Sequence, residues 1–465
     1  MKSYIDLIDQ TFYFPTKEFR VENNELLFND VPLMEIIKEY GTPIKLTYLP
    51  KISENIQNAK KYFKNAYNKF NYKGKYIYSY CTKSSHFQFV MEEALKNDIH
   101  IETSSGYDLF IVNRLFETGK INKDTYIICN GYKRPLYTSK IVETIKDGFV
   151  NCVPILDNLD ELKIYTDNLN QDFQVGIRLA ADEEPNFEFY TSRLGIRYND
   201  IVELYRNSIR ENPHVKLKML HFFINTGIKD SAYYWSELSR FMYKYCELKK
   251  ICPELDSIDI GGGFPIKTSL HFEYDYQYIV EQIVENVQWI CEKNNVPTPH
   301  IFTEFGSYTV GESGATIYSV MGQKLQNDKE LWYMIDGSFI THLPDAWGLN
   351  QKYIMLAINK WNENFHRVNL GGLTCDSMDY YNSEAHISEV FLPKIENGEK
   401  LYLGFFHTGA YQDSLGGYGG IQHCLIPAPK QVIIESPMNG SNKVKSRLFA
   451  PEQDSETMLK ILGYK

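Results

Sequence analysis

Features typical of membrane proteins and of nucleic-acid-binding proteins are missing from this sequence of 465 residues. No run of about 18 apolar residues is present, which excludes a membrane-spanning helix. The net charge is −10, so the chain has no excess of the basic residues that attract nucleic acid or an anionic membrane. We therefore expect neither of these partners.

Disulfide and zinc signatures are also missing. The eight cysteines include no C-x-x-C pair and show no zinc-type spacing. The opening segment MKSYIDLIDQTFYF carries acidic residues and no long apolar run, so it is not expected to be a signal peptide. We predict reduced thiols, no bound metal and a cytoplasmic location.

The composition that remains is typical of a large globular protein. Hydrophobic residues make up 43% of the chain and charged residues 23%, which is enough apolar material for a large buried core. A length of 465 residues predicts two or three domains rather than one.

Strand-like and helix-like segments alternate from about residue 75 to residue 306. Eight short runs rich in β-branched and aromatic residues read as strands, with amphipathic helical patterns between most of them. This order predicts a parallel (β/α)₈ barrel, and an open doubly wound sheet is the competing interpretation. The eight runs cover residues 75–82, 100–104, 125–130, 152–156, 174–180, 216–224, 257–261 and 300–304.

The pattern changes after about residue 307. Segments such as TIYSVMGQKL, LWYMIDGS and KQVIIES read as strands joined by turns, and a helix is expected after Ala346-Trp347. We predict that residues 43–306 form the barrel and that residues 307–465 form a mainly β domain of the sandwich or barrel-like type. Residues 1–42, with the short strand in ELLFNDVPL, are expected to join that β domain.

Barrel enzymes bind their ligands at the carboxyl ends of the strands. Lys83 follows the first predicted strand, Gly261–Gly263 end the seventh and Glu304 ends the eighth. A lone lysine is usually solvated, and a glycine run is often only a tight turn. An amine, a backbone cradle for phosphate and a carboxylate at successive strand ends nevertheless match what pyridoxal phosphate (PLP) requires.

Four motifs make the sequence similar to a known family. They are ICNGYK (128–133), LPDAWGLNQ (343–351), TCDSMD (374–379) and GAYQDSLG (409–416). From about residue 40 to residue 430 the chain resembles the fold-type III, alanine-racemase-like PLP decarboxylases. Within that group, which includes ornithine and diaminopimelate decarboxylases, it is most similar to the biosynthetic arginine decarboxylases.

The resemblance implies roles for residues that would hold the cofactor. Lys83 matches the lysine that forms a Schiff base with PLP, and Glu304 matches the acid that pairs with the pyridine nitrogen. Gly261, Gly262 and Gly263 match the phosphate-binding glycines, and Tyr411 matches a tyrosine that reaches the phosphate.

The resemblance also implies roles in catalysis and in substrate binding. Cys375 matches the cysteine that reprotonates the substrate carbon, and Asp345 and Asp376 match acids that hold the distal cation of a basic amino acid. Asp345 is alternatively a helix N-cap. In relatives the Cys-Asp pair comes from the partner subunit, which implies a homodimer with shared active sites.

The sequence departs from the family pattern at the cofactor. Phe223 stands where relatives carry a histidine stacked on the PLP ring, and Thr226 replaces a serine that contacts the phosphate. In the run Glu304-Phe305-Gly306-Ser307, Gly306 is retained but Ser307 replaces an arginine near the phosphate.

The favoured prediction is decarboxylation of L-arginine to agmatine and carbon dioxide, in polyamine biosynthesis. Decarboxylation of ornithine, lysine, diaminopimelate or a carboxylated polyamine is one alternative. A weakly active or inactive homologue with a regulatory binding role is another, and a racemase is a third.

Overall fold

The computed structural model describes residues 3–7, 14, 16–181, 192–385, 387–396, 398–435 and 444–464. Its strands are β1 Phe19–Glu22, β2 Glu25–Phe28, β3 Val31–Pro32, β4 Ile44–Tyr48, β5 Tyr76–Cys81, β6 His100–Thr103, β7 Ile127–Cys129, β8 Cys152–Leu156, β9 Phe173–Arg178, β10 Val215–His221, β11 Ser257–Asp259, β12 His300–Phe305, β13 Gly314–Gln326, β14 Glu330–Ile335, β15 Ile354–Ala357, β16 Phe365–Gly371, β17 Tyr380–Tyr381, β18 Val390–Pro393, β19 Tyr402–Phe406, β20 Lys430–Glu435 and β21 Lys445–Ala450.

The α-helices are α1 Tyr4–Leu7, α2 Leu33–Tyr40, α3 Leu49–Phe70, α4 Gln88–Leu95, α5 Gly106–Glu117, α6 Pro135–Lys146, α7 Leu159–Asn168, α8 Ile201–Leu204, α9 Ala232–Lys249, α10 Tyr276–Asn294, α11 Ser307–Val310, α12 Phe339–His342, α13 Pro344–Gly348, α14 Gln412–Gly416 and α15 Ser455–Ile461. Short 3₁₀ turns occupy Thr82–Ser84, Gly311–Ser313 and His423–Leu425. Across the described ranges, no helix combines the length and the apolar character that crossing a bilayer requires.

Eight parallel strands, β5 to β12, close into a barrel. The closure is direct, because β12 pairs with β5 in register from Ile301↔Tyr76 to Phe305↔Tyr80. The predicted (β/α)₈ barrel is therefore confirmed, and the open doubly wound sheet is wrong. Apolar side chains from five of the barrel strands form one buried cluster, as a packed barrel interior requires; they include Ile77, Ile128, Val153, Ile155, Met219 and Phe302.

Side-chain caps fix where several barrel helices begin. The side chains of Ser105, Asn158, Ser231 and Asp275 each accept a hydrogen bond from the third residue of the helix that follows. In α5, Asp108 completes a capping box by accepting from the Ser105 backbone. Each cap accepts a hydrogen bond from a backbone N–H group that has no partner within the helix. Because the cap fixes the residue at which the helix begins, it also sets the length of the strand-to-helix loop before it.

The second unit is mainly β, as predicted. It contains a ten-stranded sheet whose main path is β17-β16-β14-β13-β4-β20-β21, together with the separate sheet β1-β2-β3. Its core includes apolar residues of the N-terminal segment, such as Phe19 and Phe28, with Phe405 and Phe406 of β19. The N-terminal strands therefore share this core with the C-terminal half of the chain.

The boundaries of the two compact units differ from the predicted ones. The barrel unit is Ser53–Pro265 with Tyr274–Thr309, and the β unit is Met1–Ile52, Ile266–Glu273 and Val310–Lys465. The predicted start at residue 43 is too early because β4 pairs with β13 and β20 of the ten-stranded sheet rather than with a barrel strand.

Candidate active site

Glu304 lies at the carboxyl end of β12 and is almost fully buried. Asn130, which follows β7, donates an amide hydrogen bond of 2.7 Å to Glu304 Oε1. His221, the last residue of β10, places Nε2 3.1 Å from Glu304 Oε2. Three strands of the barrel thus hold one carboxylate in a fixed orientation.

The surroundings of Glu304 keep it ionised. Burial alone would raise its pKa, but His221, the Lys83 charge and the Asn130 hydrogen bond outweigh burial and lower the pKa to about 2. A carboxylate buried with a cation and a hydrogen-bond donor behaves in this way. Glu304 is therefore a permanent anion in the barrel mouth at neutral pH.

Two more acids lie at or near the carboxyl ends of other barrel strands, and their pKa values are raised rather than lowered. Glu102 of β6 accepts from Asn130 at 2.9 Å, and Asp259 of β11 accepts from the Gly261 amide at 2.8 Å. Burial is the main cause that raises the pKa of each, and the Glu304 charge raises both further. Repulsion among close acids thus concentrates the negative charge on Glu304.

Lys83 sits in the 3₁₀ turn directly after β5. Its side chain is exposed, whereas those of its neighbours Thr82 and Ser84 are buried. Ser84 Oγ donates to the Cys81 carbonyl at 2.8 Å, which holds the turn against the end of the strand. The turn therefore fixes the backbone while the amine remains accessible.

A cavity of about 410 Å³ opens at this end of the barrel. Its lining includes Lys83, Glu304 and the two hydrogen-bonding partners of Glu304. The polar and aromatic lining residues include Lys83, Asn130, Arg178, His221, Phe223 and Glu304.

Phe223 occupies the position where a stacking histidine was expected, and it lines the cavity. Phe223 is 41% exposed, so part of this aromatic residue is open to a ligand in the cavity. The Arg178 guanidinium carbon lies 5.8 Å from the ring centroid, within cation–π range. A Cβ built on Gly261 would come 3.3 Å from the Phe223 ring, so a glycine there lets the ring lie close to the chain.

The glycine run after β11 approaches the loop after β10 closely. A Cβ on Gly263, where φ is 107°, would meet the Gly227 Cα at 2.8 Å, and a Cβ on Gly262 would meet the Glu304 carbonyl oxygen at 2.5 Å. Thr226, in the same loop, has a buried Oγ1 without a hydrogen-bond partner among the described residues. These contacts show that the backbones of the two loops lie close together, and a glycine-rich turn of this kind is typical of phosphate-binding sites.

Gly306 and Ser307 follow β12. A Cβ on Gly306 would come 3.1 Å from the Cβ atoms of both Cys81 and Ser84, so the close contact between the first and last strand ends favours glycine. Ser307 is the first residue of α11.

Within the β unit, Asp345 and Gln412 bind each other. Gln412 Nε2 donates to Asp345 Oδ2 at 2.7 Å, and the Asp345 amide donates to Gln412 Oε1 at 3.3 Å. Burial raises the pKa of Asp345, and the Gln412 hydrogen bond lowers it in part. Asp345 is not a helix N-cap, because Leu343 is the N-cap of α13. Tyr411 precedes Gln412 and caps α14 with a left-handed φ of 67°.

Cys375 and Asp376 lie in the exposed loop between β16 and β17. Asp376 Oδ1 accepts from the Met378 amide at 2.8 Å. The loop is anchored by the buried Asp379, whose carboxylate accepts from the Phe339 amide at 2.7 Å and from the Thr374 hydroxyl at 2.7 Å. The Cys375 thiol is exposed, with its Sγ 3.3 Å from that of Cys424.

A family model described as pyridoxal-dependent decarboxylase, pyridoxal binding domain, matches residues 53–311. The chain belongs to this family. It is therefore a pyridoxal-dependent decarboxylase, and the barrel mouth is the part of the fold to which the family's cofactor belongs.

Two curated relatives of this decarboxylase are described as arginine decarboxylases. Biosynthetic arginine decarboxylase of Prochlorococcus marinus (strain MIT 9215) is 23% identical, over 97% of this chain and 86% of the relative. Arginine decarboxylase 1, chloroplastic, of Arabidopsis thaliana is 21% identical, over 88% of this chain and 73% of the relative.

Solved structures share the fold of this decarboxylase. The biosynthetic arginine decarboxylase of Campylobacter jejuni has a TM-score of 0.83 at 19% identity, covering 97% of this chain and 89% of that one. Diaminopimelate decarboxylase of M. jannaschii in complex with L-lysine has a TM-score of 0.78 at 18% identity, covering 95% and 96%.

The barrel mouth of this decarboxylase fits PLP. Within the described ranges, the Oγ1 atom of Thr226, in the loop that the glycine run approaches, is buried and has no hydrogen-bond partner, which is the state expected of an atom that a polar ligand contacts. An accessible amine, a fixed anion, an open aromatic face and a glycine cradle match the aldehyde, ring nitrogen, ring face and phosphate of PLP. His221, Asp259 and Glu304 also bring ligand atoms within 4.8 Å of one another, as a metal site would, but the family match favours PLP.

Sequence reasoning left five polar residues of this mouth without a role, namely Glu102, Asn130, Arg178, His221 and Asp259. Each of them ends, nearly ends or directly follows a barrel strand. A systematic application of the strand-end rule would have selected them. Their mutual hydrogen bonds, in contrast, depend on barrel closure and have no signal in the sequence.

Proposed function

We propose that this decarboxylase converts L-arginine to agmatine and carbon dioxide as a step of polyamine biosynthesis in the cytoplasm. The observation that carries the chemistry is the buried Glu304 anion, held by His221 and Asn130 in the cavity that the Lys83 amine also lines. The assignment of arginine rests on relatives that cover 97% of this chain and are named arginine decarboxylases.

Residues of the barrel unit would hold the cofactor. Lys83 would attach to it covalently, and Glu304 would keep the pyridine nitrogen protonated. Phe223 would flank the ring. When bound, PLP supplies an electron sink for the pair that remains on the substrate carbon as carbon dioxide leaves. The phosphate would be held by Thr226, Gly261–Gly263, Gly306, Ser307 and Tyr411.

Residues of the β unit would act on the substrate. The Cys375 thiol would deliver a proton to the α-carbon that carried the carboxylate, which completes the replacement of carbon dioxide by hydrogen. Asp345 and Asp376 would accept charge-assisted hydrogen bonds from the guanidinium group. The Gln412 hydrogen bond holds the Asp345 carboxylate in one orientation for that contact.

The substrate assignment is tested on purified protein supplied with PLP. Arginine, ornithine, lysine and diaminopimelate are offered separately, and carbon dioxide and amine products are measured. Agmatine release from arginine, at a kcat/KM well above the other three, is the expected result. A preference for another of these amino acids would leave the assignment as a decarboxylase unchanged and would show that arginine is not the substrate.

The second candidate is a homologue with weak activity and a regulatory binding role. Phe223 and Ser307 favour it, because a phenyl ring lacks the hydrogen-bonding nitrogens of histidine and a serine hydroxyl lacks the positive charge of arginine. Purified protein that shows no cofactor absorbance after addition of PLP, and no turnover of any of the four amino acids, would favour this candidate.

Asp345→Asn tests the distal cation site. The amide keeps the acceptor for Gln412 but removes the charge, so we expect the KM for arginine to rise on the order of 10²-fold. The melting temperature should change little, which serves as the control for folding. An unchanged KM would remove Asp345 from substrate binding.

We further propose that the active protein is a homodimer in which Cys375 and Asp376 serve the partner's cofactor site. Lys83→Ala and Cys375→Ala should each be nearly inactive alone. Co-expressed with two different tags, they should recover about a quarter of wild-type activity, because about half the dimers are mixed and one of two sites in each is intact. If each site lay within one chain, the mixed dimers would recover nothing.

A further inference from the structure

Two thiols and an imidazole come together on the surface of the β unit. Cys375 and Cys424 place their sulfur atoms 3.3 Å apart, and the Cys375 amide lies 3.4 Å from the Cys424 sulfur. One ligand atom of each cysteine and one ring nitrogen of His423 lie within 4.8 Å of one another. All three residues are exposed on the surface of the single chain.

Both segments that carry these groups are anchored by buried side chains. The buried Asp379 fixes the loop of Cys375 through its bonds to Phe339 and Thr374. On the other side, the largely buried Gln422 donates to the Gly416 carbonyl at 3.2 Å. The ligand atoms are therefore carried by two backbone segments that are already held in place. This lowers the entropy cost of bringing the atoms together around a metal ion.

The geometry points to a binding site for Zn²⁺ formed by Cys375, His423 and Cys424. Thiolate sulfur and imidazole nitrogen are the ligands that Zn²⁺ prefers, and two cysteines with one histidine leave a fourth tetrahedral position for water or a further ligand. Binding forms two Zn–S bonds and one Zn–N bond, and it releases the two thiol protons to solvent.

The spacing of the three residues along the sequence does not indicate a zinc site. Cys375 and Cys424 are 49 residues apart, whereas zinc ligands are usually found in pairs a few residues apart. Cys424 adopts a left-handed φ of 54°, which turns the backbone between it and His423. Only the packing of the two loops brings the ligand set together.

A consequence for activity rests on the proposed function. A zinc-bound thiol is deprotonated, so Cys375 in the complex has no proton to give to the substrate carbon. Zn²⁺ would therefore inhibit decarboxylation reversibly, and a chelator would restore it. The binding itself does not depend on the identity of the substrate.

Metal binding is tested directly on the full-length holoenzyme, reduced with a phosphine and freed of metal. After gel filtration from excess Zn²⁺, we expect about one zinc per chain by mass spectrometry. Co²⁺ should give the intense visible d–d bands of a tetrahedral thiolate site, at wavelengths longer than those of the cofactor. Zn²⁺ added afterwards should abolish these bands.

Variants assign the ligands. Cys424→Ser and His423→Ala should each weaken Zn²⁺ binding at least about tenfold, since even indirect partners of zinc ligands cost that much. His214→Ala is the matched control, because His214 is another exposed histidine but pairs with Asp172 at 3.0 Å. The control should bind Zn²⁺ like wild type.

The outcomes separate this inference from the proposed function. Stoichiometric zinc with cobalt–thiolate bands, lost in Cys424→Ser, supports the site even if arginine is not the substrate. Absence of these bands in fully reduced protein would overturn it, and so would equal zinc affinity in the ligand variants and His214→Ala. Cys375 and Cys424 found joined as a disulfide, with no metal bound after reduction, would also overturn it.

Discussion

Lys83→Ala is expected to abolish decarboxylation and the covalent attachment of PLP. Lys83 is the accessible amine that a fixed turn presents to the cavity containing Glu304. Alanine leaves no nucleophile for the cofactor aldehyde, so activity should fall at least about 10³-fold. The absorbance of lysine-linked PLP should disappear in the same variant.

The attachment site is identified by borohydride reduction of the wild type followed by peptide mass spectrometry. The pyridoxyl group should be found on Lys83. The matched control is Lys229→Ala, an exposed lysine in the segment after β10 that is outside the cavity lining. The control should keep absorbance and turnover, and a pyridoxyl group on any other lysine would contradict the assignment.

Glu304→Gln is expected to lower kcat on the order of 10²–10³-fold while PLP remains attached to the protein. The amide keeps the size of the side chain and an acceptor for Asn130, but it carries no charge to hold a protonated pyridine nitrogen. The loss should therefore appear in turnover rather than in cofactor content. Unchanged kcat would exclude Glu304 as the partner of the ring nitrogen.

Glu102→Gln is the control for that experiment. Glu102 is a buried acid that shares the hydrogen bond of Asn130, and burial raises its pKa rather than lowering it. Replacing it with a neutral amide should therefore change the local charge less, and kcat should fall much less than in Glu304→Gln. Equal losses in both variants would indicate a general disturbance of the barrel mouth.

The pKa of Glu304 also predicts a pH dependence of stability. Its folded-state pKa of about 2 lies below the roughly 4.3 expected of an unfolded glutamate. The anion therefore stabilises the folded state at pH values above the unfolded pKa, and this contribution is lost as the pH falls toward 2. The difference in unfolding free energy between wild type and Glu304→Gln, measured with urea, should narrow over that range.

Local sequence patterns predicted the barrel well. All eight predicted strands are present, and their ends differ from the predicted ends by at most a few residues, as in 75–82 against Tyr76–Cys81. Short β-branched and aromatic runs separated by amphipathic helices have few other ways to bury their apolar faces. Placement of Lys83, Gly261–Gly263 and Glu304 at the strand ends followed from the same pattern.

The β unit was harder to predict because its strands pair across long stretches of sequence. β4 lies between β13 and β20, which are more than 250 residues away along the chain, so the predicted boundary at residue 43 fell on the wrong side of it. The helix expected after Ala346-Trp347 is also wrong. α13 ends at Gly348, and the described residues from there to β15 contain no helix.

By itself, the sequence determined the barrel, the order of amine, glycine cradle and acid along it, and the likeness to one family of decarboxylases. Tertiary structure alone decided the charge state of the site, because the pKa of Glu304 depends on His221 and Asn130 from other strands. Tertiary structure also brings Cys375 next to Cys424, which lies 49 residues away along the chain. The physical reason is the same in both cases: a local pattern specifies an element, whereas burial and distance between elements arise only when the chain closes.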